Sequence, residues 1–196
     1  MRLFLSLFLL AAGLYAAAPP EREPRQPRPV GNMVFDSDHG KISMDKYKGK
    51  VTVLMFFHTE CSHCVTTAQN LQKALATRKD FNVVGVAVDE VPQRAVPAFV
   101  RKLGLTFPVG WVGKDAFFKY TDLPPETRPF IPVLLFIDKD FNVNRQYSQN
   151  HGFFTAGQGE LANTLGIVNM LQAAAPGTAK DLPRKQAVPQ GAPPKK

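Results

Sequence analysis

Residues 51–64 read VTVLMFFHTECSHC, and this stretch decides the fold. Val51-Thr52-Val53-Leu54-Met55-Phe56-Phe57 is a continuous apolar run, suited to a strand buried on both faces of a sheet. From Cys61 onward the apolar positions Val65, Ala68, Leu71 and Leu75 fall three or four apart, which is the stripe of a helix. The chain's two cysteines, Cys61 and Cys64, therefore stand as C-x-x-C where a buried strand hands over to a helix. Unpaired N–H groups and the helix dipole favour a thiolate at a helix start, and thiolate is the nucleophile of disulfide exchange. Cys61, on the opening turn, is expected to attack, and Cys64, one turn further in, to resolve.

Outward from this stretch the strand and helix periods alternate. Lys41–Met44 follows an Asp38-His39-Gly40 turn, and 81–88 forms a second buried strand. Pro97–Leu103 reads as a short helix with proline in its first turn, and Phe107–Val109 as a short extended piece. Residues 133–137 form a third strong strand, 142–147 its hairpin partner, and 160–175 a closing helix. Strands separated by helices imply parallel pairing through crossovers, with an antiparallel final hairpin. The expected class is α/β, a mixed central sheet with helices on both faces. Trp111–Pro129 reads as a longer irregular stretch whose aromatics Trp111, Phe117, Phe118 and Tyr120 either pack in the core or rim the cysteines.

The ends are different in kind. Arg2 precedes the apolar run Leu3–Leu14 and the small residues Ala16–Ala18, an export signal ending near residue 17. That run is short of the roughly 20 residues of a membrane span, although left uncleaved it would serve as an anchor. Export would place the cysteines in a periplasm or cell envelope where disulfides persist. Residues 18–32 read as a proline-rich disordered tether and 176–196 as a basic proline-rich tail, leaving 33–175 as the domain. The net charge of +8 sits largely in these ends, because residues 31–175 carry 15 basic and 13 acidic side chains. A basic surface for nucleic acid is thus not expected, while the tails could touch anionic membrane lipid.

The cysteine pair leaves three readings. Exchange is one. Half of a metal site is another, with His39, His58, His63 and His151 as the remaining soft ligands. A structural disulfide is the third, but so short a loop would constrain the unfolded chain little. Around the pair, His63 would favour a thiolate at Cys61 and Glu60 would oppose it. In Phe130-Ile131-Pro132-Val133, a proline enters a core strand, where a cis Ile131–Pro132 bond would present the Ile131 backbone beside the sulfurs for a peptide to pair with.

The run Gly49-Lys50 through Phe56-Phe57-His58-Thr59-Glu60-Cys61-Ser62-His63-Cys64 resembles the GK-strand-FWATWC-x-x-C segment of TlpA/ResA-type thioredoxin-like proteins. Gly85-Val86-Ala87-Val88-Asp89, Leu103–Val109 and Ile131–Asp138 extend the likeness over residues 33–175. The resemblance implies a thioredoxin-like fold and a thiol–disulfide oxidoreductase. In it Cys61 attacks, Cys64 resolves and Pro132 is the cis-proline; Glu60, His63 and Ile131, from their places beside the sulfurs, are the residues expected to tune the site. It implies no cofactor or metal beyond a redox-active Cys61–Cys64 disulfide. Its partners would be protein thiols and disulfides, with a membrane thiol reductant, in roles such as keeping apocytochrome c thiols reduced. Departures fall at Glu60, where the family has an aromatic residue, at Phe57, where it usually has tryptophan, and at Met55, where thioredoxins keep a buried acid. The competing alternative is a Sco-like copper chaperone using Cys61, Cys64 and His151 or His63, although that family spaces its cysteines C-x-x-x-C. A peroxiredoxin is a weaker third, since the T-x-x-C arrangement would need threonine at His58.

Overall fold

A computed structural model describes residues 26–155 and 159–181. The export signal and most of both tails lie outside the described residues. Eight strands form one sheet: β1 (Arg28–Pro29), β2 (Val34–Ser37), β3 (Gly40–Ser43), β4 (Thr52–Phe57), β5 (Asn82–Ala87), β6 (Val109–Trp111), β7 (Val133–Ile137) and β8 (Asn142–Ser148). Among the described residues four α-helices accompany them: α1 (Ser62–Thr77), α2 (Pro92–Leu103), α3 (Lys114–Thr121) and α4 (Glu160–Ala173). The spatial order is β1-β8-β7-β4-β5-β6-β2-β3, so the strand leading to the cysteines lies at the centre.

Alternation along the central strands builds two cores. Val53, Met55 and Phe57 of β4, with Leu134 and Phe136 of β7, face the cluster that takes in Cys64 and Ala68 of α1, Phe99 of α2 and Leu171 of α4. Leu54 and Phe56, with Val133 and Leu135, face the cluster closed by Phe117 and Phe118 of α3. Full burial of each such side chain is worth about 1.5–3 kcal/mol, which explains why β4 carries no polar alternation. The two faces are thus covered by helices, as a thioredoxin-like α/β fold requires.

Two expectations about the elements are corrected. The third strong strand, β7, runs antiparallel to β4 and not parallel, whereas β4–β5 and β5–β6 are parallel. The cause lies in 112–132: the eight-residue α3 spans only about 12 Å, and the loop after it returns the chain to the edge it left. Helix α2 begins at Pro92, five residues before Pro97, because Pro92 fits the first turn and Val96 and Phe99 share one buried face. Gly104, at φ 61°, ends that helix in the left-handed region while the Leu105 N–H reaches back to the Val100 carbonyl (3.1 Å).

The domain also extends beyond 33–175. In the segment expected as tether, Arg28–Pro29 pair with β8 and Val30 is 3% exposed. Arg28 donates to the Tyr120 carbonyl (3.0 Å) and to Gln146 Oε1 (2.7 Å). In the expected tail, Gly177 N–H meets Asp140 Oδ2 (2.7 Å) and the Ala179 carbonyl accepts from Asn144 (2.8 Å). Among the described residues, no helix is long and apolar enough to cross a membrane.

Gly110 in β6 sets how closely the β2–β3 hairpin docks. A Cβ there would stand 2.5 Å from the Asp36 carbonyl oxygen, a backbone atom that cannot rotate away. Gly110→Ala is expected to cost about 1–3 kcal/mol in urea denaturation, by forcing β2 off β6 where Asp36 pairs with Trp111.

Candidate active site

The site forms at the end of the central strand. After Phe57 the chain turns through His58 and Thr59, with the Cys61 N–H bonded to the His58 carbonyl (3.3 Å). Cys61 then occupies the N-cap of α1, in extended backbone conformation, and its own carbonyl accepts the Val65 N–H (3.0 Å). The first turn of α1 contains no acidic residue, so nothing within the helix offsets its positive end at Cys61.

The two sulfurs differ in setting. Cys61 is half-buried, and its Sγ lies 3.8 Å from the Ile131 carbonyl oxygen. Cys64 is fully buried in the first core cluster. Burial, above all, pushes the Cys64 thiol far above its ordinary range; a hydrogen bond from the His58 backbone opposes this, and the hydrogen bond with Cys61 and the Asp89 charge add to it. A neutral, enclosed thiol thus stands behind an accessible one.

The Ile131–Pro132 bond is cis, and Pro132 is buried at the start of β7 while Ile131 is half-buried and packs against both cores. Since β7 pairs with β4, the Ile131 carbonyl arrives beside Cys61 although 70 residues separate them. Glu60, just before Cys61, and His63, between the two cysteines, are both exposed. Met55, at the position of the thioredoxin acid, is fully buried and apolar.

Residues 27–151 match the model of the AhpC/TSA family. The chain belongs to that family. No curated protein matches it. Solved structures with the same fold include a thioredoxin-family thiol:disulfide interchange protein from Chlorobium tepidum TLS, 23% identical, covering 75% of this chain and 97% of that one, TM-score 0.58. Another is a secreted Mycobacterium tuberculosis disulfide oxidoreductase homologous to E. coli DsbE, 21% identical over 71% of this chain and 96% of that one, TM-score 0.56. A third is the thioredoxin domain of a thiol-disulfide oxidoreductase from Bacteroides vulgatus, 14% identical over 75% and 98%, TM-score 0.58. The fold is thioredoxin-like, in agreement with the TlpA/ResA resemblance.

Other sequence candidates have their own partners. Phe117, Phe118 and Tyr120 pack on the opposite face of the sheet, where Tyr120 meets Phe35 edge-on at 5.8 Å, so they do not rim the cysteines. His151 Nδ1 accepts the Phe153 N–H (3.0 Å) and its ring lies against Tyr147. Among the described residues no group of three or more His, Cys, Asp or Glu is arranged to hold a metal ion.

Two carboxylates near the site carry no motif of their own in the sequence. Asp89 follows β5 and accepts both the N–H (3.1 Å) and the hydroxyl (2.9 Å) of Thr59, bracing the turn that carries Cys61. It appeared in the sequence only as the end of a family-like run. Glu160 opens α4 and lies between it and α1, accepting from Asn70 Nδ2 (3.3 Å). Its other oxygen, Oε1, is buried near Thr67 with no hydrogen-bond partner among the described residues.

Burial raises the Glu160 carboxyl above 4.5, against the opposing effects of Thr67, Asn70 and His63. The folded protein therefore keeps this proton to higher pH than the unfolded chain does. Its contribution to stability is complete below the ordinary carboxyl pKa and is lost as pH rises through the raised value. Glu160→Gln is expected to flatten the loss of stability as pH rises above 4.5, measured by denaturant titration at several pH values.

Proposed function

We propose that this chain is an exported thiol–disulfide oxidoreductase that acts on protein thiols of the cell envelope, with Cys61 and Cys64 as its working pair and reduction as its direction. The observation that carries the reading is the pairing of a half-exposed thiol at a helix start with a fully buried thiol hydrogen-bonded behind it. In the reducing direction the Cys61 thiolate attacks one sulfur of a substrate disulfide, and the other substrate sulfur leaves as a thiolate. Cys64 then attacks Cys61, the Cys61–substrate bond breaks, and the substrate departs with both sulfurs reduced. The protein is left as a Cys61–Cys64 disulfide, two electrons poorer, to be restored by a membrane thiol reductant.

The Ile131 carbonyl beside Cys61 supports a peptide docking in extended form along this edge, with its cysteine over Cys61. Export is supported by the Arg2, Leu3–Leu14 and Ala16–Ala18 pattern and by the secreted M. tuberculosis neighbour. Keeping envelope thiols reduced, as in cytochrome c maturation, fits this chemistry.

Equilibrating the pair with glutathione or dithiothreitol buffers tests the direction. A midpoint potential near thioredoxin's, about −270 mV, is expected; one near about −120 mV would make the protein an oxidant. Fractionation of cells expressing the full chain should place it in the envelope, and recovery in the cytosol would overturn export.

A further inference from the structure

Exchange at this site requires a proton to leave a place where nothing apolar can take it. Cys64 must lose its thiol proton as it attacks Cys61, yet it is fully buried, and Met55 in the same core cluster offers no acceptor. The carboxylate tied to the turn that carries Cys61 is Asp89, which accepts both the N–H (3.1 Å) and the hydroxyl (2.9 Å) of Thr59. Its placement follows from the sheet: β4 and β5 are parallel and in register to Phe57 and Ala87, so the chain leaves both strands at one edge. The Val88 N–H then binds the Phe57 carbonyl (2.9 Å), which sets Asp89 beside the turn before Cys61.

The Asp89 side chain is only 12% exposed, while His58, with Nδ1 3.7 Å from Asp89 Oδ1, is 44% exposed. Of this pair the carboxylate is thus the enclosed member and the imidazole the one open to water. The same His58 residue also reaches both cysteines through its backbone, accepting from the Cys61 N–H and donating to the Cys64 sulfur.

We propose that Asp89 and His58 form the proton-handling pair of Cys64, Asp89 taking the thiol proton and His58 passing it to solvent. The proposal rests on the exchange reading and deepens it. In the resolving step the Cys64 S–H bond breaks and its proton goes to the Asp89 carboxylate, directly or through one water. The Cys64 sulfur forms a bond to Cys61 as the Cys61–substrate S–S bond breaks, and the substrate leaves as a thiolate that solvent protonates. Asp89 then returns to carboxylate by giving its proton to the His58 imidazole, and the imidazolium gives it to water. In the opposite direction the same pair delivers a proton to Cys64 as it leaves.

A purely structural Asp89, holding Thr59, would affect capture and resolution alike. Asp89→Asn separates the two, because its amide oxygen can still accept from Thr59. Rapid mixing of the reduced protein with a disulfide-bonded peptide, followed by acid quench and mass spectrometry, reads formation and decay of the Cys61 adduct in one trace. Asp89→Asn is expected to form the adduct within about twofold of the wild-type rate and to resolve it at least about tenfold more slowly. His58→Ala is expected to slow resolution likewise, with added imidazole restoring it. Equal slowing of both steps, unchanged decay in Asp89→Asn, or no response of His58→Ala to imidazole would overturn the proposal. If the wild type and the Cys64→Ser protein also formed no adduct, the exchange reading itself would fall.

Discussion

Replacing Cys61 with serine is expected to abolish reduction of disulfide-bonded substrates, while replacing Cys64 with serine leaves the first chemical step intact. The asymmetry follows from the two environments. Cys61 is the half-exposed sulfur at the start of α1, with the Ile131 carbonyl 3.8 Å away, so a substrate sulfur can reach it in line. Cys64 has no exposure, and its burial favours the neutral thiol. With Cys61 gone, the remaining sulfur is both unreachable and protonated, and the expected rate of substrate reduction falls to that of the uncatalysed reaction. Stopped-flow assays with a disulfide peptide check this directly. Activity retained in Cys61→Ser at more than a few per cent of wild type would mean that Cys64, or another group, is the attacking nucleophile.

The largest effect on stability is expected at Phe57. This residue ends β4, is 1% exposed, and stacks on Phe99 of α2 at a centroid distance of 4.8 Å. A Cβ on Gly85 would lie 3.3 Å from its ring, which shows how tightly the neighbouring strand is packed against it. Truncation to alanine removes the ring and leaves a cavity between sheet and helix that the two rigid elements cannot close. Phe57→Ala is expected to cost about 3–5 kcal/mol, measured as a drop in the urea midpoint at unchanged slope. Because Phe57 lies one residue before the turn that carries Cys61, the same substitution should also slow exchange in the folded fraction. A cost under about 1 kcal/mol would mean that α2 collapses onto the vacated space.

The strongest strands were legible in sequence for a reason visible in the fold. β4, β5 and β7 are covered on both faces, so their apolar runs carry no competing period, and β7 begins and ends where the run 133–137 does. The C-x-x-C at the head of α1 was equally legible, since strand, turn and helix are consecutive. What was hidden depends on residues far apart in the chain. β1 contains Pro29, tolerable on an edge strand, and its place is set by Arg28 bonds to Tyr120 and Gln146 across 92 and 118 positions. Helix α3 is eight residues long with the adjacent aromatics Phe117 and Phe118, too short for a helical period to show. Asp89 escaped notice because its link to Thr59 exists only once β4 and β5 lie parallel. The antiparallel β7, which delivers Pro132 and the Ile131 carbonyl to Cys61, depends likewise on how 112–132 crosses and returns.

The account stands or falls on Cys61 as the attacking sulfur. Incubation of the Cys64→Ser protein with a disulfide-bonded peptide, followed by intact-mass analysis and peptide mapping, measures this most directly. One peptide joined through a disulfide to Cys61, stable until a reductant is added, is the predicted result. A protein that remains unmodified while the wild type still turns over the same peptide would contradict it.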